Sequence, residues 1–182
     1  MSRGKTGPRV EQVYFGGGPA RKLEPLMAQL HGVVGTRRGA MGGWTVSPSR
    51  EQLDSGLTGH AEVVEVDFDT NSTNLRHLLK AFFSCHDATV DRTEVRGGQH
   101  RSVVFCRKAK QNIVTRRAID LLVGNGLEVS TLVKDAGIFW PDGAANEHYA
   151  RAARRHLHVV REDEIEDMTL LQAARSTLPT AA

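Results

Sequence analysis

Apolar residues along the first part of the chain recur at spacings that predict alternating strands and helices. Residues 10–15 and 61–68 contain several β-branched side chains and are predicted to be strands. The glycines at 16–18 lead from the first strand into apolar positions at helical spacing. Pro19 suits the first position of that helix, because its missing N–H would have no partner there. The pattern therefore predicts a strand, a glycine turn and a helix.

The same interleaving continues towards the C-terminus. Leucines and phenylalanines between residues 75 and 83 follow the spacing of an amphipathic helix, with Thr73 as its cap and an end near residues 85–87. Interleaved strands and helices predict one α/β or α+β layer structure. The remaining predicted elements are a strand at 102–106, a helix at about 108–123, a strand at 128–134 and a short helix at 146–156.

Length and composition predict a single domain with polar ends. With 182 residues, 40% of them hydrophobic, the chain is long enough for one sizeable core. Residues 1–10 are polar and are predicted to be disordered, residues 11–160 to form the domain, and residues 161–182 to form a charged tail.

Charge and hydropathy indicate which classes of partner the protein binds. The net charge of +3 arises from 24 basic and 21 acidic residues, which argues against nucleic acid and favours a small-molecule substrate. No apolar run approaches the roughly 18 residues needed to span a bilayer, and no apolar region follows the basic residues 1–5. The two cysteines, Cys85 and Cys106, do not form a disulfide framework, so we expect a reducing cytosol.

Several sequence motifs occur in a family-like order between about residues 10 and 152. The most specific is SGLTGHAE at Ser55–Glu62, which is similar to the S-G-x-T-G-H-A-E run of the A-type peptide methionine sulfoxide reductase family. This resemblance implies a two-layer α/β sandwich with a ferredoxin-type core around a central mixed sheet. The other segments that resemble the family's motifs are Leu30–Val33, Gly39–Gly43, Phe82–Asp87, Gly97–Ser102 and Phe139–Pro141, followed by Tyr149.

The resemblance also places the family's nucleophile. Counted back without a gap from residues 32–33, the family's G-C-F-W-G motif falls on Gly18–Lys22, and Pro19 stands in the place of the cysteine. In the family that cysteine lies in the first turn of a helix, where the helix dipole favours the thiolate. Ala20 and Arg21 replace the two aromatic residues that resemble a cage for the sulfoxide methyl group. We therefore expect a more open, cationic pocket and a changed substrate.

Further pocket positions follow from the same comparison. Ala40 and His100 replace two family tyrosines, and Glu94 is the nearest substitute for a family aspartate that falls on Val95. Glu62 stands where the family carries the carboxylic acid that hydrogen-bonds the sulfoxide oxygen. Periodicity alone would favour a solvated position for Glu62, whereas the motif favours a pocket carboxyl with a raised pKa.

These positions give a set of candidate site residues. Glu62 is the predicted general acid or base, with His100 either as a proton-transfer partner or as a packed histidine. Arg21 is predicted to bind an anionic group or to pair with Glu62 or Glu24. The other predicted substrate-binding residues are Pro19, Ala20, Ala40, His60, His86, Asp87, Glu94, Trp140 and Tyr149.

No metal or other cofactor is expected. His60, Glu62, His86 and His100 form a conceivable ligand set, but the family has the first three residue types without needing a metal. Cys85, at a helix end, is expected to be a buried structural cysteine, because the negative end of the dipole raises a thiol's pKa.

Three functions remain open from the sequence. The leading hypothesis is a repurposed enzyme that uses Glu62 and His100 for a non-redox acid/base reaction on a small, anionic metabolite. The second is a pseudoenzyme that binds a ligand or a protein. The third is a residual methionine sulfoxide reductase that uses Cys85, which requires that this thiol reach the pocket.

Overall fold

The computed structural model describes residues 9–142. Tyr149, the predicted helix at 146–156 and the charged tail lie outside the described residues. In chain order the elements are β1 Val10–Gly16, α1 Ala20–Ala28, β2 Val33–Met41, α2 Arg50–Asp54, β3 Ala61–Asp69, α3 Leu75–Ser84, a 3-10 turn Val95–Gly98, β4 Val103–Cys106, α4 Ala109–Gly124, β5 Leu132–Asp135 and β6 Phe139–Pro141.

The described strands form one mixed sheet in the order β5-β4-β1-β3-β2-β6. β4 and β5 run parallel, and the other neighbours are antiparallel. Because side chains alternate between the two faces of a strand, β1, β3 and β4 present one apolar set to each face. The predicted α/β fold with a central mixed sheet is confirmed.

The main core lies between the sheet and three helices. Apolar residues of α1, α3 and α4 pack against one face of β1, β3 and β4. A smaller cluster on the other face includes Tyr14, Met41, Val63 and Phe105. The largest fully buried side chains of the main core are Phe15, Phe68, Phe82, Phe83, Met27, Leu78, Leu79 and Leu122.

Strand β2 was not predicted, because its middle contains two glycines and two arginines. It nevertheless pairs with β3 along its length, from Val33 opposite Phe68 to Met41 opposite Ala61. The arginines find acidic partners in the folded chain, with Arg38 Nε 3.1 Å from a carboxylate oxygen of Glu24. Tertiary pairing therefore outweighs the weak strand pattern.

Some predicted ends are corrected. Asn74, not Thr73, caps α3, because its side-chain oxygen accepts from the backbone N–H groups of residues 76 and 77. Pro19 is the N-cap of α1 and not its first helical residue. β5 begins at Leu132, later than predicted, whereas β1 begins at Val10, as predicted for this strand, so Val10 does not belong to the predicted disordered segment.

Phe82 provides a test of this core. Its fully buried ring lies 5.0 Å from the ring centroid of Phe15 and 5.3 Å from that of Phe83. We expect Phe82→Ala to lower the free energy of unfolding by about 3–5 kcal/mol, because it removes apolar burial and leaves a cavity. Urea denaturation measures the loss. Leu121→Ala, at a leucine that is 59% exposed, is the control and should change it by less than about 0.5 kcal/mol; equal losses would contradict this core assignment.

Candidate functional site

The glycine turn between β1 and α1 brings the start of the helix against the sheet. A Cβ atom on Gly17 would lie 2.9 Å from the Phe82 ring and 3.0 Å from the His86 ring, so a larger side chain would push the turn outward. Gly18 has a φ of +112°, which side chains other than glycine rarely adopt. The turn thus requires glycine and places the first N–H groups of α1 beside the beginning of β3.

Glu62 lies at this point and is the centre of the site. Its side chain is only 3% exposed. The backbone N–H of Ala20 donates to Oε2 at 3.0 Å, and the side-chain amide of Gln99 donates to Oε1 at 2.6 Å. A guanidinium N–H of Arg50 donates to Oε1 at 2.8 Å, and Nε2 of His100 lies 3.4 Å from the same oxygen. One buried carboxylate of β3 therefore contacts α1, α2 and the segment before β4.

The electrostatics of Glu62 differ from the expectation. Burial raises the pKa of this carboxyl, but the hydrogen bonds from Ala20 and Gln99 and the charges of Arg50 and His100 together lower it below its ordinary value. The predicted raised pKa is therefore wrong. Glu62 is ionised at neutral pH and accepts hydrogen bonds, so it is not set up to donate a proton.

Arg50 was not predicted as a site residue. It is the first residue of α2, and a capping box formed by Ser49 and Gln52 stabilises the N-terminus of this helix. Its guanidinium also bonds Asp54 at 2.8 and 3.3 Å. Since Arg50 falls in a short exposed helix without a motif or periodicity, the sequence carries no signal for this role.

Gln99 was part of a recognised motif but was not named as a site residue. It is 2% exposed, and its amide nitrogen reaches both Glu62 and, at 3.4 Å, Asp54. Its Oε1 atom is buried and has no hydrogen-bond partner among residues 9–142. Gln99 therefore holds Glu62 through its amide nitrogen and leaves one buried acceptor without a partner among these residues. The signal that could have found it was its place in the Gly97–Ser102 motif.

Two of the motif histidines, His60 and His86, hold loops in place. His60 Nδ1 accepts from the N–H of Gly43 at 3.0 Å, and its Nε2 lies 2.8 Å from the carbonyl oxygen of Thr45. In His86, Nδ1 lies 2.8 Å from the carbonyl oxygen of Phe82, and Nε2 lies 2.8 Å from the hydroxyl oxygen of Ser102. Both rings therefore have protein partners at each nitrogen. Within the described part of the chain, no group of three His, Cys, Asp or Glu residues could hold a metal ion.

The other predicted residues spread over the site and its surroundings. Ala40 is fully buried in β2. It lies opposite Glu62 of the neighbouring strand β3 and opposite Trp140 of the other neighbour, β6. Asp87 caps the loop that follows it by accepting from the N–H and the hydroxyl of Thr89. Glu94 is exposed. The structure thus places Ala40 next to Glu62, whereas the side chain of Asp87 stabilises the loop at Thr89.

Arg21 does not make the predicted ion pairs. Its side chain is exposed on α1. Glu62 is paired with Arg50 and Glu24 with Arg38, so both expected partners have other cations. A ligand-binding role for Arg21 stays a prediction.

Neither cysteine has the surroundings of an activated thiol. Cys85 follows α3, donates its S–H to the Phe82 carbonyl at 3.1 Å, and burial raises its pKa to about 12. Cys106 is 2% exposed in β4, and burial raises its pKa as well. These surroundings agree with structural roles for both cysteines.

No helix in the described range is long and apolar enough to cross a membrane.

An α/β sheet protein with a buried carboxylate at a helix N-terminus is the class that the fold and site define. Comparison with known proteins names the family: the model for peptide methionine sulfoxide reductase matches residues 11–176, and the chain belongs to this family. The predicted resemblance is confirmed.

Individual relatives agree over most of the chain. Peptide methionine sulfoxide reductase MsrA of Geobacter sulfurreducens is 34% identical over 145 residues, 77% of this chain and 90% of the relative. MsrA of Methanothermobacter thermautotrophicus is 35% identical over 159 residues, 84% of this chain and 94% of the relative. The structure of methionine sulfoxide reductase A of Corynebacterium diphtheriae superposes with a TM-score of 0.66 at 26% identity, covering 84% of this chain and 78% of that one.

These findings correct the leading functional hypothesis. The family is one of enzymes, and relatives sharing about a third of their residues over most of the chain bear a reductase name. The non-redox acid/base reaction is therefore contradicted. The lowered pKa of Glu62 argues in addition against its role as a general acid, because a carboxylate held by Arg50 and Gln99 is a poor proton donor near neutral pH.

The charge state of Glu62 predicts a pH-dependent stability. Since its folded pKa lies below the ordinary value of 4.5, the ionised form stabilises the fold above that pH, and the contribution is lost as the pH falls through the lowered pKa. We expect Glu62→Gln to be less stable than the wild type at pH 7, with the difference shrinking below about pH 4.5. Urea midpoints at several pH values measure this.

The matched control for this experiment is Glu128→Gln, which removes an exposed carboxylate before β5. It should stay within about 0.5 kcal/mol of the wild type. A Glu62→Gln variant as stable as the wild type at pH 7 would show that the hydrogen bonds around Glu62 do not stabilise the ionised form.

Proposed function

We propose that this protein reduces methionine sulfoxide in peptides, with the reducing thiol supplied by a separate dithiol molecule. Membership of the peptide methionine sulfoxide reductase family supports the reaction class. The observation that carries the site assignment is the convergence of Ala20, Arg50, Gln99 and His100 on one buried carboxylate. A sulfoxide is polar at oxygen and apolar at its carbons, so it suits a site where donors meet at the edge of an apolar core.

The position of the thiols is the reason for proposing an external reductant. Residue 19 is a proline, at the N-cap of α1 beside Glu62. The thiol of Cys85 is bonded to a backbone carbonyl and has a pKa near 12, so little thiolate forms at neutral pH. Cys106 lies within the sheet. A dithiol that enters from solvent needs neither the Cys85 thiol, which has a raised pKa, nor the Cys106 thiol, which lies within the sheet.

The reaction then balances without a nucleophile from the chain. One thiolate attacks the sulfoxide sulfur and forms an S–S bond, the S–O bond breaks, and the oxygen leaves as water with the two protons of the dithiol. The second thiolate then attacks the first sulfur of the dithiol and breaks its bond to the substrate sulfur. The substrate leaves as the sulfide with the electron pair of that bond, so the products are a sulfide, one disulfide and water. The protein binds and orients the sulfoxide at the Glu62 site. We also propose the cytosol as the compartment, because its thiols are kept reduced.

The proposal is tested by following a peptide that contains methionine sulfoxide, with dithiothreitol as the reductant and mass spectrometry of the sulfide product. We expect product above the uncatalysed rate with the wild type. We expect Cys85→Ala and Cys106→Ala to keep the wild-type rate, because neither thiol takes part. Glu62→Ala should lower the rate by about ten-fold or more, because the site loses its central anchor.

Two results would count against the proposal in different ways. If the folded wild type gave no sulfide above the uncatalysed rate, the reductase function would be wrong. If Cys85→Ala, still folded by circular dichroism, lost the activity, the thiol would belong to the chain and the external reductant would be wrong.

A further inference from the structure

Three large apolar side chains are exposed on the two loops that flank α2, beside the Glu62 site. Trp44 is 76% exposed, and Val46 and Leu57 are each 77% exposed. Tryptophan is a highly buried residue on average, and a group of exposed apolar side chains marks a surface for interaction. Resting on the proposed function, we infer that Trp44 binds an apolar side chain of the peptide that carries the methionine sulfoxide.

The backbone of Trp44 is held in a fixed course. His60 is buried, and its Nδ1 accepts from the N–H of Gly43 at 3.0 Å, while its Nε2 lies 2.8 Å from the carbonyl oxygen of Thr45. One imidazole therefore holds the residues on both sides of Trp44. The N–H of Trp44 itself donates to the carbonyl oxygen of Thr58 at 3.1 Å. An exposed loop with these bonds keeps its shape before a ligand arrives.

The indole ring of Trp44 is held as well, by close packing on a glycine. Gly59 has a φ of +70°, and a Cβ atom on it would collide with the Trp44 ring. One side of the ring therefore packs on backbone, and most of the ring faces solvent. A rigid aromatic side chain loses little conformational entropy on binding, and tryptophan is frequent among the residues that dominate interface energies.

The loop that carries Trp44 also contains a strained residue. Ser47 has a φ of +48°, in the left-handed region that residues other than glycine rarely adopt. Such strain costs free energy, and it persists where the surrounding contacts impose it, as they do at ligand clamps. The contacts of this loop therefore maintain a shape that its backbone does not favour.

The Trp44 ring lies within reach of a peptide bound at Glu62. Gly59, on which the ring packs, precedes Glu62 by three residues. Three residues span at most about 11 Å of backbone, and an extended peptide covers the same distance in about three residues of its own. A sulfoxide at the Glu62 site therefore places a side chain two or three residues away against the indole.

The surroundings of the ring select an apolar side chain. Val46 and Leu57 supply further apolar surface. Arg101 donates to the carbonyl oxygen of Gly59 at 3.2 Å, and its charge would repel a cation stacked on the indole. Apolar neighbours are typical of methionines that come from a protein core. The site therefore suits methionine sulfoxide in unfolded, apolar segments better than the free amino acid.

The experiment compares two peptides with blocked ends that differ only in their outer residues, Leu-Ser-Met(O)-Ser-Leu and Ser-Ser-Met(O)-Ser-Ser, where Met(O) is methionine sulfoxide. For each peptide, titration calorimetry gives the dissociation constant, and the assay with dithiothreitol gives kcat/KM. We expect the wild type to bind the leucine peptide more tightly. Trp44→Ala should weaken that binding by roughly five-fold to thirty-fold and leave the serine peptide unchanged, because only the leucines contact the ring.

Three further variants complete the comparison. Trp44→Phe keeps a smaller aromatic ring and should retain part of the preference for the leucine peptide. Leu57→Ala removes another of the three exposed side chains and should lower the preference. Leu121→Ala makes the same substitution at an exposed leucine of α4 and should keep the wild-type preference.

The outcomes separate this inference from the proposed function. A folded wild type that binds the leucine peptide through Trp44 but reduces neither peptide would overturn the reductase function and support Trp44 as a peptide-binding residue. A wild type that reduces both peptides and binds them equally, or a Trp44→Ala variant that keeps the wild-type preference, would overturn the role of Trp44 alone. Equal weakening of both peptides in Trp44→Ala would show a structural role and would also overturn it.

Discussion

The site depends on the burial of one negative charge at the start of a helix. Glu62 is almost completely inaccessible, and burying an ionised carboxylate is costly unless hydrogen bonds and a counter-charge offset the lost solvation. The N–H of Ala20, the amide of Gln99 and the guanidinium of Arg50 provide that compensation. These partners come from α1, the turn before β4, and α2, so the carboxylate joins segments that are far apart in the sequence.

The helix start at Glu62 exists because the glycine turn before it is held tightly. Gly17 packs against the rings of Phe82 and His86, and His86 in turn bonds the Ser102 hydroxyl beside β4. Pro19 keeps the helix start, since its carbonyl accepts the N–H of Lys22 at 2.9 Å. The helix start therefore still presents the backbone N–H of Ala20 to Glu62, although Pro19 itself has neither a backbone N–H nor a side-chain donor.

Motif residues and site residues coincide only in part in this protein, since Glu62 and Gln99 belong to motifs and Arg50 does not. His60 and His86 belong to the segments with the strongest family resemblance, but their ring nitrogens are used to hold loops and strand ends. Arg50, in contrast, lies in a short helix without a motif and supplies the cation of the site. The motifs thus supply the buried carboxylate and the scaffold around it, whereas the positive charge beside it comes from Arg50 in the short helix α2.

The sequence by itself determined the family, the order of most strands and helices, and the importance of Glu62, because periodicity and specific motifs are local properties that can be read without coordinates. Strand β2 could not be predicted, since its arginines become compatible with a sheet only when Glu24 and Glu65 are brought beside them. The charge state of Glu62 was also decided by the tertiary structure. Burial and donors act on its pKa in opposite directions, and only the folded arrangement, with Arg50 and Gln99 beside the carboxylate, determines which prevails.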